Sequence, residues 1–466
     1  MCAPCRVHFP KILANSVSCS SRLTLVLAPR PSSSPLVPTP QVTLTDWLDY
    51  QQRVHPRSIE LGLTRVREVW DRLGGPRPAP LVITVGGTNG KGSTVAFLRA
   101  MLGAMGKRVG CYTSPHLLRY NERVRLPEGD AADSSLVAAF ERIEAARLQA
   151  PAIPLTYFEF GTLAALWIFS QSALDVAVLE VGLGGRLDAV NIIDADAAIV
   201  TTVDLDHQDW LGNDRDSIGR EKAGIFRQGQ PAILGMAQPP AGLLEAAVAS
   251  GARLVRAGQE FHATVNAGAW QWRCGATAVD LPQPILAAPC QRANAACAIA
   301  ALHCLRERLG WDAEALASGV RSAWLPARLQ RLTRAGEADL IVDVAHNPQA
   351  AGILAQWLAA EPIAGRTVAV FAALSDKDVH GMVEPLVNQV DHWFICGLDR
   401  ETARGLAADN VIARCRDILQ PAIASAFVDP VAALQSARAE THERDRIIAF
   451  GSFYIAAAAL EQAVSD

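Results

Sequence analysis

The sequence predicts an α/β chain of two domains, each built on a parallel sheet with helices on both faces. Three observations predict it. Short runs rich in β-branched residues alternate with stretches whose apolar residues recur at helical spacing. The first such run is followed directly by a glycine-rich turn and then by a helical pattern. A proline-bearing connection, Leu281-Pro282-Gln283-Pro284 through Pro289, divides the alternation into a longer first part and a shorter second.

In chain order, Thr45 precedes Trp47, Leu48 and Tyr50 as the cap of an amphipathic helix, and 59–73 carries a second helix at apolar spacing. Leu81-Val82-Ile83-Thr84-Val85 reads as a strand, ended by glycines and followed by a helix over 93–105. Further strands are expected at 175–180, 197–203, 340–344, 367–372, 392–396 and 446–450, with a new helix beginning near Ala293. Strands that alternate with helices need crossover connections, so the sheets are parallel and buried on both faces. The expected division is 1–41 as a disordered extension, 42–288 as the first domain and 289–466 as the second. In open parallel sheets ligands collect beyond the carboxyl ends of the strands, which directs attention to the residues just after each strand.

Composition narrows the partners. A chain of 466 residues, half of them hydrophobic, supports two cores at roughly 100–200 residues per domain. A formal charge of −4 without long charge blocks argues against nucleic acid or a membrane surface and leaves small anionic substrates bound at local sites. The long apolar run from Leu163 to Val181 is broken by Ser170, Gln171, Ser172 and Asp175, too soon for a membrane span. The expectation is a soluble, cytoplasmic monomer. The ten cysteines are scattered singly, and the one metal-like spacing, Cys2 and Cys5, has no second pair. Cys297 and Cys304 sit in an Ala-rich helical pattern, where small thiols pack a core. The first forty residues are rich in Ser and Pro, contain Arg6, Arg22 and Arg30, and precede the first acid, Asp46. A transit peptide shares that composition; a disordered extension is the preferred reading.

The glycine-rich turn is Gly86-Gly87-Thr88-Asn89-Gly90-Lys91-Gly92-Ser93. Glycines let backbone N–H groups wrap phosphate oxygens, the helix N-terminus adds its positive end, Lys91 reaches the outer phosphates and a hydroxyl can meet magnesium. The common loop has Lys followed directly by Ser or Thr, whereas Gly92 intervenes here; the plain alternative is a glycine-rich turn with no ligand. The strand–loop–helix context favours a P-loop-type domain that binds a nucleotide. Lysine usage adds to this, because five lysines stand against 38 arginines. Positions that keep lysine are enriched for needs that only a compact ammonium or a primary amine meets. Lys91 fits, and Lys222 and Lys377 become candidates. Glu180 ends a buried strand ahead of Val181-Gly182-Leu183-Gly184-Gly185-Arg186, where a carboxylate either holds magnesium or caps a helix. His207 follows another strand among Asp204, Asp206 and Asp209, and takes its weight from that company.

Seven motifs in series carry a resemblance. They are Gly87 to Ser93, Thr113-Ser114-Pro115-His116-Leu117, Tyr157-Phe158-Glu159-Phe160-Gly161-Thr162-Leu163, Glu180 to Asn191, Asp206 to Gly212, Glu221-Lys222-Ala223-Gly224-Ile225-Phe226 and Asp343-Val344-Ala345-His346-Asn347-Pro348. From about Thr45 to about Ile455 the chain resembles the bacterial bifunctional dihydrofolate synthase/folylpolyglutamate synthase family of the Mur ligase superfamily. The resemblance implies a Mur ligase-like fold, a P-loop-type ATP-binding domain followed by a smaller Rossmann-like one. It implies that Gly87, Thr88, Asn89, Gly90, Lys91, Gly92 and Ser93 hold ATP phosphates. Ser114, Glu180 and His207 would hold Mg2+, with Lys222 as a carbamate and Lys91, His207 and Lys222 serving catalysis. Asn294 would face adenine, Arg328 the phosphates, and Asp343 with His346 the nucleotide from the other side. Thr156 and Asp188 match the pterin pocket, and Ser58, Ile59 and Glu60 within Arg57 to Gly62 match the element that binds dihydropteroate. Ser58 and Glu60 are not the usual residues there, and Ala327 stands where the family has glycine.

The implied reaction is amide-bond formation between L-glutamate and either dihydropteroate or the glutamate tail of a reduced folate, driven by ATP through an acyl phosphate. Three other readings share parts of the pattern. A folylpolyglutamate synthase with one function would lack the dihydropteroate step. Another Mur-type ligase, acting on a nucleotide sugar, normally carries a further N-terminal domain, and few ordered residues precede the first strand here. An NTP-hydrolysing switch would leave Asp343 to Pro348 without a role.

Overall fold

The β-branched runs pair into parallel sheets. The computed structural model describes residues 42–55, 60–266, 268–332, 334–419 and 423–465. The expected extension 1–41, and Ser58 and Ile59 with it, lie outside the described residues. The first sheet contains β1 (Leu81–Gly86), β2 (Val109–Tyr112), β3 (Val124–Leu126), β4 (Gly129–Asp130), β5 (Val176–Glu180), β6 (Ala197–Val200), β7 (Pro231–Leu234) and β8 (Arg253–Arg256). Its order is β4-β3-β2-β5-β1-β6-β7-β8, parallel from β2 to β8, with β3 and β4 antiparallel at one edge. A meander of β9 (Phe261–Asn266), β10 (Ala269–Cys274) and β11 (Thr277–Pro282) follows. The last sheet holds β12 (Gln330–Leu332), β13 (Asp339–Val342), β14 (Thr367–Phe371), β15 (His392–Cys396), β16 (Ala424–Phe427) and β17 (Arg446–Phe450), in the order β12-β13-β17-β14-β15-β16. All but β12 run parallel.

Burial on both faces explains the continuous apolar strands. Side chains alternate across a strand, so Val82, Ala177, Ala198 and Leu234 enter one core while Ile83, Val178, Ile199 and Ile233 enter another on the opposite face. The last sheet divides the same way, with Ile341, Phe371, Trp393 and Phe450 on one side and Leu340, Val370, Phe394 and Ala449 on the other.

Two expectations are corrected. The first helix spans Leu44–Val54 and its cap is Thr43, not Thr45. Thr43 Oγ1 accepts the Asp46 N–H at 3.2 Å and Asp46 Oδ2 accepts the Thr43 N–H at 2.9 Å, a reciprocal box that needs a carboxylate three residues on, where Thr45 has Leu48. The change of core does not fall at 288/289. The helices Gln291–Cys304 and Ala313–Ser322 pack on the helix Lys91–Ala104, and Ile299, Leu316 and Ala323 share a core with β1. Ala327 is the first residue in a core of the last sheet. The proline-bearing connection therefore ends the meander without ending the first body of structure. The meander itself buries Phe261, Trp270 and Trp272, and Trp272 Nε1 donates to the Ala296 carbonyl at 3.2 Å, tying it to the following helix. Among the described residues no helix is long and apolar enough to cross a membrane.

Candidate active site

In the first sheet β1 lies between β5 and β6, with β2 beyond β5. The segments leaving their carboxyl ends are therefore neighbours, and they hold the phosphate loop, residues 181–188, residues 201–207 and residues 113–117. The segments after β13, β14 and β17 of the last sheet bring Asp343, His346, Lys377 and Phe453 to the same place. Together they line a cavity of about 640 Å3. Every site residue expected from sequence that lies in the described chain is on its wall, including Glu60, Ser114, Thr156, Asp188, Asn294 and Arg328.

The loop takes its shape from two glycines. A Cβ on Gly87, at φ +144°, would sit 1.9 Å from Thr201 Oγ1, and one on Gly90, at φ +85°, 2.4 Å from Asn294 Oδ1. Gly90 caps the helix Lys91–Ala104, so the free N–H groups of that helix's first turn open on the cavity. Lys91 Nζ donates to the Gly87 and Thr88 carbonyls at 3.0 and 3.1 Å. Burial pushes its pKa down, against the pull of Glu180, Asp206 and Asp188.

Glu180 is 5 % exposed, and Oε2 accepts the Ser114 N–H at 3.2 Å. Burial raises its pKa although Lys91, that N–H, Arg328 and Arg123 oppose the rise. His207 holds a left-handed backbone, φ 52°, at the start of a short helix, and burial lowers its pKa to about 4. Lys222 is 3 % exposed on the helix Arg215–Ala223, and among the described residues its amine has no ion pair or hydrogen bond. Burial, then Lys91, depress its pKa to about 7. A surface salt bridge with Glu221 is excluded, because Glu221 pairs with Arg186 at 2.8 Å instead. Glu180, Ser114 and His207 line the same cavity, and a carboxylate, a hydroxyl and an imidazole are by chemistry hard oxygen and nitrogen donors of the kind that Mg2+ or Mn2+ would take. Among the described residues no cluster of three or more His, Cys, Asp and Glu side chains is placed to hold a metal.

Asp188 Oδ2 accepts the Leu183 N–H at 2.8 Å and Oδ1 the Val190 N–H at 3.0 Å, while burial lifts its pKa to about 6. Thr156 caps the helix Tyr157–Gln171: Oγ1 accepts the Glu159 N–H at 3.2 Å, leaving the hydroxyl hydrogen for another acceptor. Glu60 pairs with Arg65, whose Nη2 reaches Glu159 at 2.9 Å, so Glu60 is tied to the same wall. On the far side, Asp343 accepts the Leu329 and Ala345 N–H groups at 2.8 Å each, and burial raises its pKa against Arg328. Arg328 lies 5.8 Å from the Phe453 ring centroid. Ala327 stands at φ +52°, a left-handed conformation that glycine takes more readily. Asn294, expected on the second domain, belongs to the helix that packs on the first sheet.

Residues 85–273 match the Mur ligase middle domain, and 327–453 match the Mur ligase, glutamate ligase domain. A dihydrofolate synthase/folylpolyglutamate synthase of Escherichia coli K12 is 44 % identical over 426 residues, covering 91 % of this chain and 96 % of that protein. This chain belongs to the dihydrofolate synthase/folylpolyglutamate synthase family. Solved members of the family agree in fold. The E. coli FolC complex with DHPP and ADP superposes with a TM-score of 0.85 at 42 % identity, over 92 % of this chain and 99 % of the other. A bifunctional folylpolyglutamate synthase/dihydrofolate synthase with Mn, AMPPNP and L-glutamate bound gives 0.83 at 43 % identity, over 91 % and 99 %.

Within this family member the structure adds a polar bridge that motif reading missed. Asp206 Oδ1 accepts Lys377 Nζ at 2.5 Å, Oδ2 accepts Asn347 Nδ2 at 3.2 Å, and His346 Nε2 stands 3.7 Å away. Burial works against the Asp206 carboxylate, but His207, Lys377 and His346 outweigh it and hold its pKa well below the usual range. Asn89 and Asn347 exchange amide hydrogen bonds at 2.9 Å both ways, and Asn89 Nδ2 also reaches Gln349 at 2.6 Å. Scarcity of lysine had marked Lys377, but its partner Asp206 was one acid among several.

Proposed function

We propose that this chain is an ATP-dependent ligase that adds L-glutamate to dihydropteroate, forming dihydrofolate, and to the glutamate tail of reduced folates. The observation that carries the reading is one cavity in which a phosphate loop, a buried carboxylate and a buried amine from the first sheet's half meet Asp343, His346 and Lys377 from the last sheet. A carboxylate does not condense with an amine in water until one of its oxygens becomes a leaving group. Attack of the acceptor carboxylate on the γ-phosphorus of ATP gives an acyl phosphate and ADP; attack of the glutamate amine on that carbonyl gives a tetrahedral intermediate that expels phosphate.

Each residue has a task in this course. The N–H groups of 87–93 and Lys91 hold the outer phosphates in line and offset the charge that spreads over the moving phosphoryl group. Asn294 meets adenine, while Arg328, Asp343 and His346 hold the nucleotide from the other side. Thr156 and Asp188 take the pterin. Ser114, Glu180 and His207 hold magnesium, which when bound supplies positive charge to the phosphates. The Lys222 amine, with a pKa near 7, is about half neutral at neutral pH, the form that takes up CO2 as a carbamate and turns a cation into an anionic donor. The Asp206–Lys377 and Asn89–Asn347 links draw the two sides together and keep water from an acyl phosphate that hydrolyses readily. Every group belongs to one chain, as action by a monomer requires, and the seven described cysteines are free thiols, as a reducing cytoplasm requires.

The test is ADP release by the purified protein with ATP, dihydropteroate and L-glutamate, joined to mass analysis of the product. ADP formed only when acceptor and glutamate are both present, with the acceptor gaining one glutamyl residue, supports the reading. A protein that extends a reduced folate and leaves dihydropteroate unchanged has the single function, and one that extends neither is another Mur-type ligase.

A further inference from the structure

Arg123 is a buried cation with no carboxylate hydrogen-bonded or ion-paired to it among the described residues. It closes the turn Tyr120–Arg123, is 9 % exposed and lines the cavity. Its guanidinium carbon lies 5.3 Å from the Tyr120 ring centroid and 5.6 Å from that of Tyr157, and Nε donates to His116 Nδ1 at 2.8 Å. His116 Nδ1 accepts that bond with its lone pair, so the imidazole orients the guanidinium without pairing its charge with an anion. The adjacent acid is already engaged: the Glu122 carboxylate accepts the N–H groups of Leu117, Leu118 and Arg119 at 2.7, 2.9 and 2.8 Å. Among the described residues no carboxylate pairs with Arg123. The arrangement holds the guanidinium by the His116 ring nitrogen, two aromatic faces and the Tyr112 hydroxyl, all of them uncharged partners, and leaves its charge for an anionic ligand.

Position suggests what that is. Tyr157, against which the guanidinium lies, follows Thr156 of the pterin wall. His116, which it grips, stands two residues after Ser114, whose N–H meets Glu180, and Glu180 feels the charges of both Lys91 and Arg123. Arg123 thus stands between the proposed pterin pocket and the phosphate loop. Dihydropteroate and the tail of a reduced folate share one feature there, a terminal carboxylate that must approach a triphosphate of like charge. A guanidinium fork matches the two oxygens of a carboxylate and offsets that repulsion.

We infer that Arg123 grips the carboxylate of the acceptor, the group that receives the phosphoryl, and that His116, Tyr120 and Tyr157 position it for this. The inference rests on the ligase reading above and names the residue that recognises the reacting end of its substrate.

The test compares dihydropteroate with its carboxamide, in which the carboxylate is replaced by an uncharged group of similar shape. Dissociation constants are measured by calorimetry for the full chain loaded with magnesium and AMPPNP, as wild type, Arg123→Met and Arg123→Lys, with melting curves for each. Wild type is expected to prefer the acid by about 10- to 100-fold, the range for a hydrogen bond between charged groups. Arg123→Met loses that preference while binding the amide as wild type does, and its KM values for ATP and glutamate stay within about threefold. Arg123→Lys, which keeps a charge but not the fork, retains only a small part of the preference and decides the matter if the Met variant does not fold. Full preference for the acid in either variant overturns the inference. Equal binding of acid and amide by wild type overturns it while leaving the ligase reading standing, and binding of neither removes both.

Discussion

Replacing Lys222 by Met should make the protein more stable and inactive at once. The amine is 3 % exposed, has no hydrogen-bond or ion-pair partner among the described residues, and carries a pKa depressed from 10.5 to about 7 by burial and by Lys91. The folded state binds fewer protons at this site than the unfolded chain between those values, so stability rises with pH across that window. Below pH 7 the charged amine is forced into the interior. The drop amounts to on the order of 4 kcal/mol of destabilisation at pH 7, falling to about 2 kcal/mol at pH 9 and vanishing above about pH 10.5. A methionine fills similar volume without the charge. Urea midpoints of wild type and Lys222→Met, in buffer freed of CO2, should therefore differ in favour of the variant, by more at pH 7 than at pH 9. Adding bicarbonate and magnesium should stabilise wild type only, and 13C-bicarbonate should give a carbamate carbon signal absent from the variant. A variant less stable than wild type at both pH values, or a difference that does not change with pH, would refute the reasoning that a buried charge is held at this position.

Three further outcomes follow from the same geometry. Glu180→Gln should lower turnover by about a hundredfold or more with little loss of melting temperature if, as proposed, its buried carboxylate serves the metal and not the core; turnover is to be measured with magnesium titrated upward. The KM for dihydropteroate should rise about tenfold per pH unit as pH falls below about 6, where Asp188 takes up a proton, and Asp188→Asn should show a weaker KM without that slope. Asp206→Asn should destabilise by about 3 kcal/mol by leaving Lys377, whose side chain is 6 % exposed, as a buried cation with only the longer contact to Asp376 at 3.9 Å, and Lys377→Met added to it should recover most of the loss in urea denaturation.

Much of the fold was legible because parallel strands buried on both faces announce themselves as continuous apolar runs. Residues 392–396 and 446–450 are strands with the expected bounds, and 367–372 differs by one residue. The meander was not read, since Phe261–Asn266 and Ala269–Cys274 mix polar and apolar residues as an antiparallel face does, and Trp270 and Trp272 alone do not distinguish a strand from a helix. The division at 288/289 failed for a related reason. Proline marks where a chain turns, but which core an Ala-rich helix joins depends on the surface it meets, here the helix Lys91–Ala104.

By itself the sequence singled out the candidate residues that the structure brings to one cavity: a glycine-rich loop in its strand–loop–helix setting, a carboxylate ending a buried strand, and lysines retained where arginine is otherwise the rule. Those are properties of local spacing and residue type, and they survive without knowledge of what lies opposite. Tertiary structure decided which groups are charged and which are paired. The depressed pKa of Lys222, the raised one of Asp188, the bond from Lys377 to Asp206 and the bond from Arg123 to His116 all arise from burial and from partners up to 171 positions away along the chain. Desolvation and Coulomb energy depend on distance in space, and only the folding of two sheets toward one cavity sets those distances.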